Sequence, residues 1–294
     1  MRVTAARVSA LLLIIARAAS AQDSSSRGGG FLAGVAVGSA RISSTRAERA
    51  VSGTLAFQPR GWLTLSVSPT LVRATNDTAG GTLTSTGLGD LPIAIGVERE
   101  LAGPLSTDFS ASLALTLPTG STQCGLGSGA TSVGLDVGAG VSPAEPLHLS
   151  IGASRGLSGL SSQSTLDAPR ATSLSFDAGF DVAERWSASL SLSGDFGTAD
   201  STQALSRDLG FGASHQLGKR LAVALEASHG LTSGSPKWAF SFSIGTAYSG
   251  VSAVGANAPF RRLKRTFVGG VSRGQGRRKI GGGKTGGGST TTTC

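Results

Sequence analysis

Apolar and polar residues alternate with a period of two along most of residues 32–252. The run at 109–117 shows the pattern most clearly, with apolar side chains at odd positions and small or polar ones at even positions. Successive side chains of a β-strand point to opposite faces, so this period predicts strands. We expect twelve strands, near 31–43, 50–58, 62–73, 88–99, 107–118, 131–142, 147–157, 171–183, 186–196, 206–217, 220–231 and 238–250.

The polar face of these strands consists mostly of Ser, Gly, Ala and Thr. A soluble protein would show Lys and Glu there, whereas small polar side chains suit a lumen. Apolar residues outside and polar residues inside are typical of a transmembrane β-barrel. The sequence therefore predicts an all-β, antiparallel barrel at 31–252. A secreted β-sandwich or propeller is the competing interpretation, and it explains the strands without explaining the polar face.

The connections between the predicted strands alternate in length. Short turns are expected at 58–61, 100–104, 142–146, 183–185 and 217–220, and longer polar loops at 74–87, 119–130, 158–170 and 197–205. Outer-membrane barrels are built with short periplasmic turns and longer external loops. An even strand count then predicts that both chain ends lie in the periplasm.

The first 21 residues have the features of a signal peptide. Arg2 and Arg7 precede an apolar run at 8–16, and Ala19-Ser20-Ala21 is a small-residue cleavage site. The run is too short to span a bilayer. We expect residues 1–21 to be removed, residues 22–30 to be a short linker, and the barrel to lie in the outer membrane of a Gram-negative bacterium. Its expected partners are outer-membrane lipids and the barrel-assembly machinery.

The formal net charge of +9 comes from the ends of the chain. Residues 253–294 carry nine Lys and Arg and no acid, and they are rich in Gly and Thr, so we expect a disordered periplasmic tail. Residues 22–252 hold 14 basic residues against 17 acidic ones. An exported chain meets no genome, so nucleic acid is not an expected partner. Cys124 and Cys294 are expected on opposite sides of the membrane, and hence not to pair with each other.

Three glycine-containing motifs lie at 87–90 (Gly-Leu-Gly-Asp), 117–120 (Leu-Pro-Thr-Gly) and 125–129 (Gly-Leu-Gly-Ser-Gly). The last lacks the Lys-Ser/Thr of a phosphate-binding loop. In order and approximate spacing the motifs resemble those of an outer-membrane family named for the MetA pathway of phenol degradation, as do residues 245–250 and 259–263. The resemblance implies a transport-type barrel that moves hydrophobic or aromatic compounds.

The predicted strand phase identifies candidate lumen and membrane-interface residues. The inward acids expected to set selectivity are Asp90, Asp136, Asp177, Asp181 and Glu226, with Glu98 and Asp108 nearer the periplasmic end. Few inward Lys or Arg accompany them, so an open lumen should favour cations. The aromatic residues expected at the membrane interfaces are Trp62, Trp186, Trp238 and Tyr248.

Catalysis is not expected from the histidines. His148 and Ser150 form a His-x-Ser pair that should face the lumen near the periplasmic end, away from any lipid ester. No Asp or Asn is spaced to orient the histidine, so the triad is incomplete, and neither a metal nor a cofactor is expected. The expected function is passive uptake of small, hydrophobic or aromatic solutes by a channel. The alternative is a non-conducting structural or adhesive barrel that binds a partner through its external loops.

Overall fold

The computed structural model describes residues 30–101, 105–157, 172–196, 205–217, 221–246 and 290–293, which form one β-sheet. The predicted signal peptide and the loop at 158–170 lie outside the described residues. The strands are β1 (Gly30–Arg41), β2 (Arg46–Arg60), β3 (Leu63–Val67), β4 (Thr70–Thr78), β5 (Gly81–Leu88), β6 (Leu91–Leu101), β7 (Ser106–Leu117), β8 (Ser132–Ala144), β9 (Leu147–Leu157), β10 (Thr172–Ala183), β11 (Trp186–Phe196), β12 (Arg207–Gln216), β13 (Leu221–Gly230), β14 (Trp238–Thr246) and β15 (Thr290–Thr293).

The sheet closes on itself because β1 pairs antiparallel with both β2 and β14. Val37, for example, lies opposite Val51 on one side and Phe242 on the other. β3 and β4 pair with successive parts of β2, and β5 and β6 likewise continue one another, so each pair counts as one interrupted strand of the wall. The predicted twelve-stranded antiparallel barrel is therefore confirmed.

The two interruptions occur where the chain cannot continue a regular ladder. Pro69 has no backbone N–H to donate, although its carbonyl still accepts from Gly53 at 3.0 Å. Gly89 is buried, and a Cβ there would lie 3.4 Å from Cγ2 of Val72. The chain thus bends at both points and reforms a ladder beyond them.

The interrupted strands extend further than the sequence predicted. The expected loop at 74–87 is instead a hairpin, in which Thr78 lies opposite Gly81 and only residues 79–80 form the turn. β2 likewise begins at Arg46 and not near residue 50. The alternation of connection lengths is therefore incomplete, because 42–45 and 79–80 are short. The alternation of side chains persists through both hairpins and was the more reliable signal.

Strand phase separates an apolar outer face from a polar inner one. Leu55, Phe109, Phe176 and Phe240 project outward and are each about half exposed to the surroundings of the barrel. Ser and Thr side chains dominate the opposite phase. Among the described residues, no helix is long and apolar enough to cross a membrane.

The barrel has two distinct ends, which are named here by their connections. At the turn end β2 leads into β3, β6 into β7, β8 into β9, β10 into β11 and β12 into β13; at the loop end β1 leads into β2, β4 into β5, β7 into β8, β9 into β10, β11 into β12 and β13 into β14. β15 is parallel to β5, with Thr290 opposite Leu83, near the loop end. These four residues form a strand where the sequence predicted a disordered tail.

Candidate functional site

Residues 118–131, here called the mouth loop, connect β7 to β8 and fold into the loop end of the barrel. Leu126 at the centre of this loop is only 7% exposed. It packs with inward-facing side chains of β1, β2, β4 and β14 and with Ile42 just after β1. The resulting apolar mouth patch consists of Ala40, Ile42, Ala50, Val72, Ala74, Leu126 and Ala239, with Cys124 packed against it. The loop therefore reaches well across the lumen from its own strands.

The three glycine motifs of the sequence meet at the base of this loop. Asp90, at the bend between β5 and β6, accepts hydrogen bonds from the backbone N–H of Gly120 at 3.1 Å and of Ser128 at 2.7 Å. The hydroxyl of Thr119 donates to the carbonyl of Gly89 at 2.8 Å. One carboxylate thus holds both ends of the mouth loop, and charged acceptors make the stronger hydrogen bonds.

Glycine is required where the two ends of the loop touch. A Cβ on Gly120 would lie 2.6 Å from the carbonyl oxygen of Leu126, and one on Gly127 would lie 2.6 Å from Oδ1 of Asp90. Gly125 adopts a positive φ of 66°, which only glycine reaches without strain. The glycines of the 125–129 motif therefore permit close backbone packing around a carboxylate and do not form a phosphate site.

A basic side chain on another strand of the wall supports the tip of the loop. Arg46, at the start of β2, donates from Nη2 to the carbonyl of Gly125 at 3.2 Å and pairs with Glu48 at 2.6 Å. Glu48 is almost fully buried, with 3% of its side chain exposed. Sequence analysis missed both residues because it began this strand near residue 50.

Cys124 at the tip of the mouth loop is disulfide-bonded. The sequence holds one other cysteine, so this bond contradicts the expectation that the two do not pair; among the described residues no cysteine is free. Its partner lies outside the described residues. The bond adds a covalent restraint to the loop tip.

Of the five predicted lumen acids, three lie on the inner face away from either rim. Asp136 on β8 and Asp177 on β10 are 5% and 4% exposed, and Glu226 on β13 shares the inward phase. Asp136 accepts from the hydroxyl of Ser112 at 3.3 Å. Asp208, the second residue of β12 near the loop end, also faces inward and is 3% exposed. In the alternating pattern of the predicted strand 206–217, position 208 falls on the inward face. The sequence therefore already contained the signal for Asp208.

The other two predicted acids occupy different settings. The carboxylate of Asp90 is engaged by the mouth loop, as described above. Asp181 is exposed at the turn end, where it accepts from the hydroxyl of Ser187 at 2.8 Å. The structure therefore separates Asp90 and Asp181 from the inner acids Asp136, Asp177 and Glu226.

The predicted interface tryptophans all project outward and are about half exposed. Trp62 and Trp186 lie at the turn end, and Trp238 begins β14 at the loop end. Trp186 stacks on His215 with ring centroids 4.3 Å apart, and Trp238 lies 4.4 Å from His229. These positions are compatible with belts at both membrane interfaces. The fourth predicted residue, Tyr248, lies outside the described residues.

A serine–histidine–aspartate set does occur at the turn end. Nδ1 of His148 lies 3.0 Å from the hydroxyl of Ser142, while its Nε2 is 3.9 Å from Oδ1 of Asp108. The second distance is too long for a hydrogen bond, so the carboxylate does not orient the ring as a catalytic triad requires. Within the described residues, no group of three or more His, Cys, Asp or Glu could hold a metal ion.

The closed wall, apolar outer face and polar lumen define a twelve-stranded β-barrel of the outer-membrane type. Among solved structures, the chain is similar to the COG4313 outer membrane channel from Pseudomonas putida F1, with a TM-score of 0.54 and 17% identity over 77% of this chain and 98% of that one. It is less similar to the KdgM porin, at a TM-score of 0.48 and 6% identity over 73% of this chain and 99% of the other. For the CymD monoaromatic hydrocarbon channel the TM-score is 0.43, and the identity is 9% over 84% of this chain and 94% of that one. No protein-family model and no curated protein matches the chain.

Proposed function

We propose that this barrel is an outer-membrane channel for the passive uptake of small hydrophobic or aromatic solutes, with the mouth loop as its gate. The observation that carries the proposal is the mouth itself. A loop 118–131 is folded inward and held by Asp90 over a lumen whose inner face is polar. A wall that served only as a structural element would gain nothing from this arrangement.

The solute class is supported by the chemistry of the lumen. When the mouth loop opens, a solute entering at the loop end would meet the apolar mouth patch that is buried around Leu126 in the closed state, and then an inner face of Ser and Thr hydroxyls. Sites for small molecules are commonly apolar with a few polar groups that fix orientation. An aromatic ring that carries a hydroxyl group matches both parts of this path.

Gating is supported by the way in which the loop is fixed. Its two base contacts converge on one carboxylate, and hydrogen bonds to charged groups contribute about 1.5–3 kcal/mol each. Openings that cost a few kcal/mol are typical of mobile functional loops in folded proteins. The described contacts are therefore strong enough to favour a closed mouth and weak enough to permit opening.

Purified full-length protein in planar bilayers tests this function. We expect discrete current steps that are interrupted by benzyl alcohol at lower concentrations than by glucose. Leu126→Ala should weaken the interruption by benzyl alcohol, whereas the lipid-facing Leu190→Ala should leave it unchanged. A barrel that gives no current and no solute uptake in liposomes would favour the alternative, a structural or adhesive role.

Cation preference is the expected selectivity of the open channel. The triple variant Asp136→Asn, Asp177→Asn and Glu226→Gln removes the inner acids, while Asp181→Asn at the turn end is the matched control. A charge roughly 8 Å from a passing ion contributes about 0.5–2 kcal/mol between the dielectric of water and that of a protein surface. We expect the triple variant to lose a several-fold cation preference, measured as the reversal potential in a salt gradient. An unchanged potential would show that these acids serve only the wall.

A further inference from the structure

Three arginine side chains, here called the arginine patch, lie together on the outer face of the barrel near the loop end. Arg41 on β1, Arg49 on β2 and Arg73 on β4 all fall in the outward phase of their strands and are exposed. Arg49 lies directly opposite Arg73 in the ladder. Arg41 lies opposite Ala47, one outward row nearer the loop end, and its Nη2 donates to the carbonyl of Ser44 at 2.7 Å. The patch therefore occupies three neighbouring strands and two adjacent rows.

The pairing of Arg49 with Arg73 is unfavourable for the wall itself. Cβ atoms of directly opposed residues lie about 4.5–5.5 Å apart, and like charges at such positions destabilise a sheet. Among the described residues, neither arginine forms an ion pair. Asp77 shares their phase on β4, but its carboxylate accepts from the hydroxyl of Thr82 at 2.9 Å. An anion bound between the two guanidinium groups would relieve this repulsion.

The register places the patch between an interface tryptophan and an apolar band. Arg41 lies opposite Trp238, which begins β14 at the loop end. On the turn-end side of Arg49 and Arg73, the next outward row is wholly apolar and each side chain in it is 41–59% exposed; the row consists of Leu225, Phe242, Val37, Val51, Leu71 and Leu88. Charged groups are costly in hydrocarbon, and tryptophan favours the membrane interface. The guanidinium groups therefore lie at the level of lipid headgroups.

We propose that the arginine patch binds the phosphorylated headgroup of an anionic lipid of the outer leaflet, whose acyl chains lie against the apolar row. With the loop end external, as the longer connections predict, this face lies in the outer leaflet. Guanidinium groups bind phosphate in a bidentate manner. The three positive charges exceed the charge of one phosphate monoester, which is about −1.5 to −2 at neutral pH. A headgroup with two phosphates, as in the lipid A of Gram-negative bacteria, is therefore the best match.

Two other outward arginines near the loop end have no arginine opposite them. Arg155 on β9 lies between Leu135 and Thr172. Arg207 on β12 lies opposite Gly194, and its guanidinium carbon is 6.0 Å from the centre of the Phe196 ring. The repulsion that an anion would relieve is thus a property of the arginine patch, and single arginines elsewhere on the outer face can serve as controls.

Native mass spectrometry of the full-length protein in a neutral maltoside detergent, titrated with bisphosphorylated lipid A, tests the site. The patch variant is Arg49→Gln with Arg73→Gln. The matched control is Arg99→Gln with Arg155→Gln, which removes two exposed outward charges from separate positions on β6 and β9. We expect the patch variant to bind lipid A about tenfold more weakly, and the control to stay within about twofold of the unmodified protein. Equal affinity of the two variants would overturn the proposal.

Two further probes in the same experiment identify the chemistry of the ligand. Phosphatidylglycerol offers one phosphate on acyl chains, and inorganic phosphate offers no acyl chain. We expect the unmodified protein to bind lipid A at least about threefold more tightly than phosphatidylglycerol, and a molar excess of inorganic phosphate to leave lipid A bound. Equal binding of phosphatidylglycerol would overturn the assignment to a lipid with two phosphates. Displacement by inorganic phosphate would reduce the patch to a site for free anions.

Thermal unfolding in the same detergent separates a binding role from a structural one. Without lipid, the patch variant should unfold at or above the Tm of the unmodified protein, because it lacks the repulsion between Arg49 and Arg73. Added lipid A should raise the Tm of the unmodified protein and of the control, and should raise that of the patch variant by less than about half as much. An equal increase in all three proteins would overturn the proposal. Neither measurement requires conduction, so both remain decisive if the proposed channel function fails.

Discussion

The two ends of the barrel are held together in different ways. At the loop end, the contacts that close the mouth join residues far apart in sequence: Asp90 to Ser128 spans 38 positions, and Arg46 to Gly125 spans 79. At the turn end, most side-chain hydrogen bonds bridge single hairpins, although Nδ1 of His215 also lies 3.1 Å from the carbonyl of Arg185, 30 positions away. Glu100 with Ser106, Ser142 with His148, and Asp181 with Ser187 are each six positions apart.

This difference indicates where the barrel can change shape. The turn end is stabilised mainly within hairpins and between adjacent strands, so we expect losing one contact to have a local effect. The loop end depends on a few contacts that the mouth loop makes with the bend at Asp90, with Arg46 on β2 and with the apolar side chains of β1, β2, β4 and β14. Substitutions at the base of the mouth loop should therefore free the loop base, and equivalent substitutions at the turn end should not.

The largest effect is expected from Asp90→Ala. This variant removes the acceptor of two backbone N–H groups, and hydrogen bonds to a charged group contribute about 1.5–3 kcal/mol each. The backbone amides of Gly120 and Ser128 should exchange roughly 100-fold faster, as measured by hydrogen–deuterium exchange. Asp181→Ala at the turn end is the matched control and should leave this exchange unchanged. Equal exchange in both variants would mean that the carboxylate does not hold the loop.

A slightly smaller effect is expected from Gly127→Ala. The added methyl group would lie 2.6 Å from Oδ1 of Asp90, so the loop base must move apart. Overpacking of this kind costs about 1–3 kcal/mol, and the same amide exchange should rise about tenfold. Gly53→Ala is the control, because a Cβ there has nothing within 4 Å. Protection that survives in Gly127→Ala would contradict the close packing of the loop base.

Removing the apolar contact at the loop tip should have a moderate effect. Leu126→Ala exposes part of the mouth patch, and full burial of a leucine side chain is worth about 1.5–3 kcal/mol. Since its partners are mostly alanines, we expect about 1 kcal/mol, or roughly fivefold faster exchange at Leu126 itself. The amides at Gly120 and Ser128 should keep their protection. If they lose it as well, tip and base open as one unit.

The smallest effect is expected at the turn end. His148→Gln removes the ring that contacts Ser142 but leaves the hairpin of β8 and β9 intact. Substitutions outside packed networks usually change stability by about 0.5 kcal/mol or less. Exchange in the mouth loop and channel current should therefore stay within about twofold of the unmodified protein. A larger change would show that the two ends are coupled, and the comparison would have to be revised.

Much of the wall could be predicted from residue order. Phe109, Phe176 and Phe240 face outward and Asp136 and Asp177 inward, as the period of two requires, because a strand's geometry assigns alternate residues to alternate faces. Strand bounds were less accurate near Pro69 and Gly89. The interruptions there depend on how the neighbouring strands pair with the chain. The propensities of one segment do not contain information about that pairing.

The sequence by itself determined the barrel class, the phase of its strands and the motifs at 87–90, 117–120 and 125–129. Each of these depends on local periodicity or on residues adjacent in the chain. Only the tertiary structure decided that the three motifs meet at Asp90, that Arg46 reaches Gly125 and that Cys124 is bonded. It also decided that Thr290 lies beside Leu83 at the loop end. These contacts join segments dozens of residues apart, and closure of the sheet brings them together.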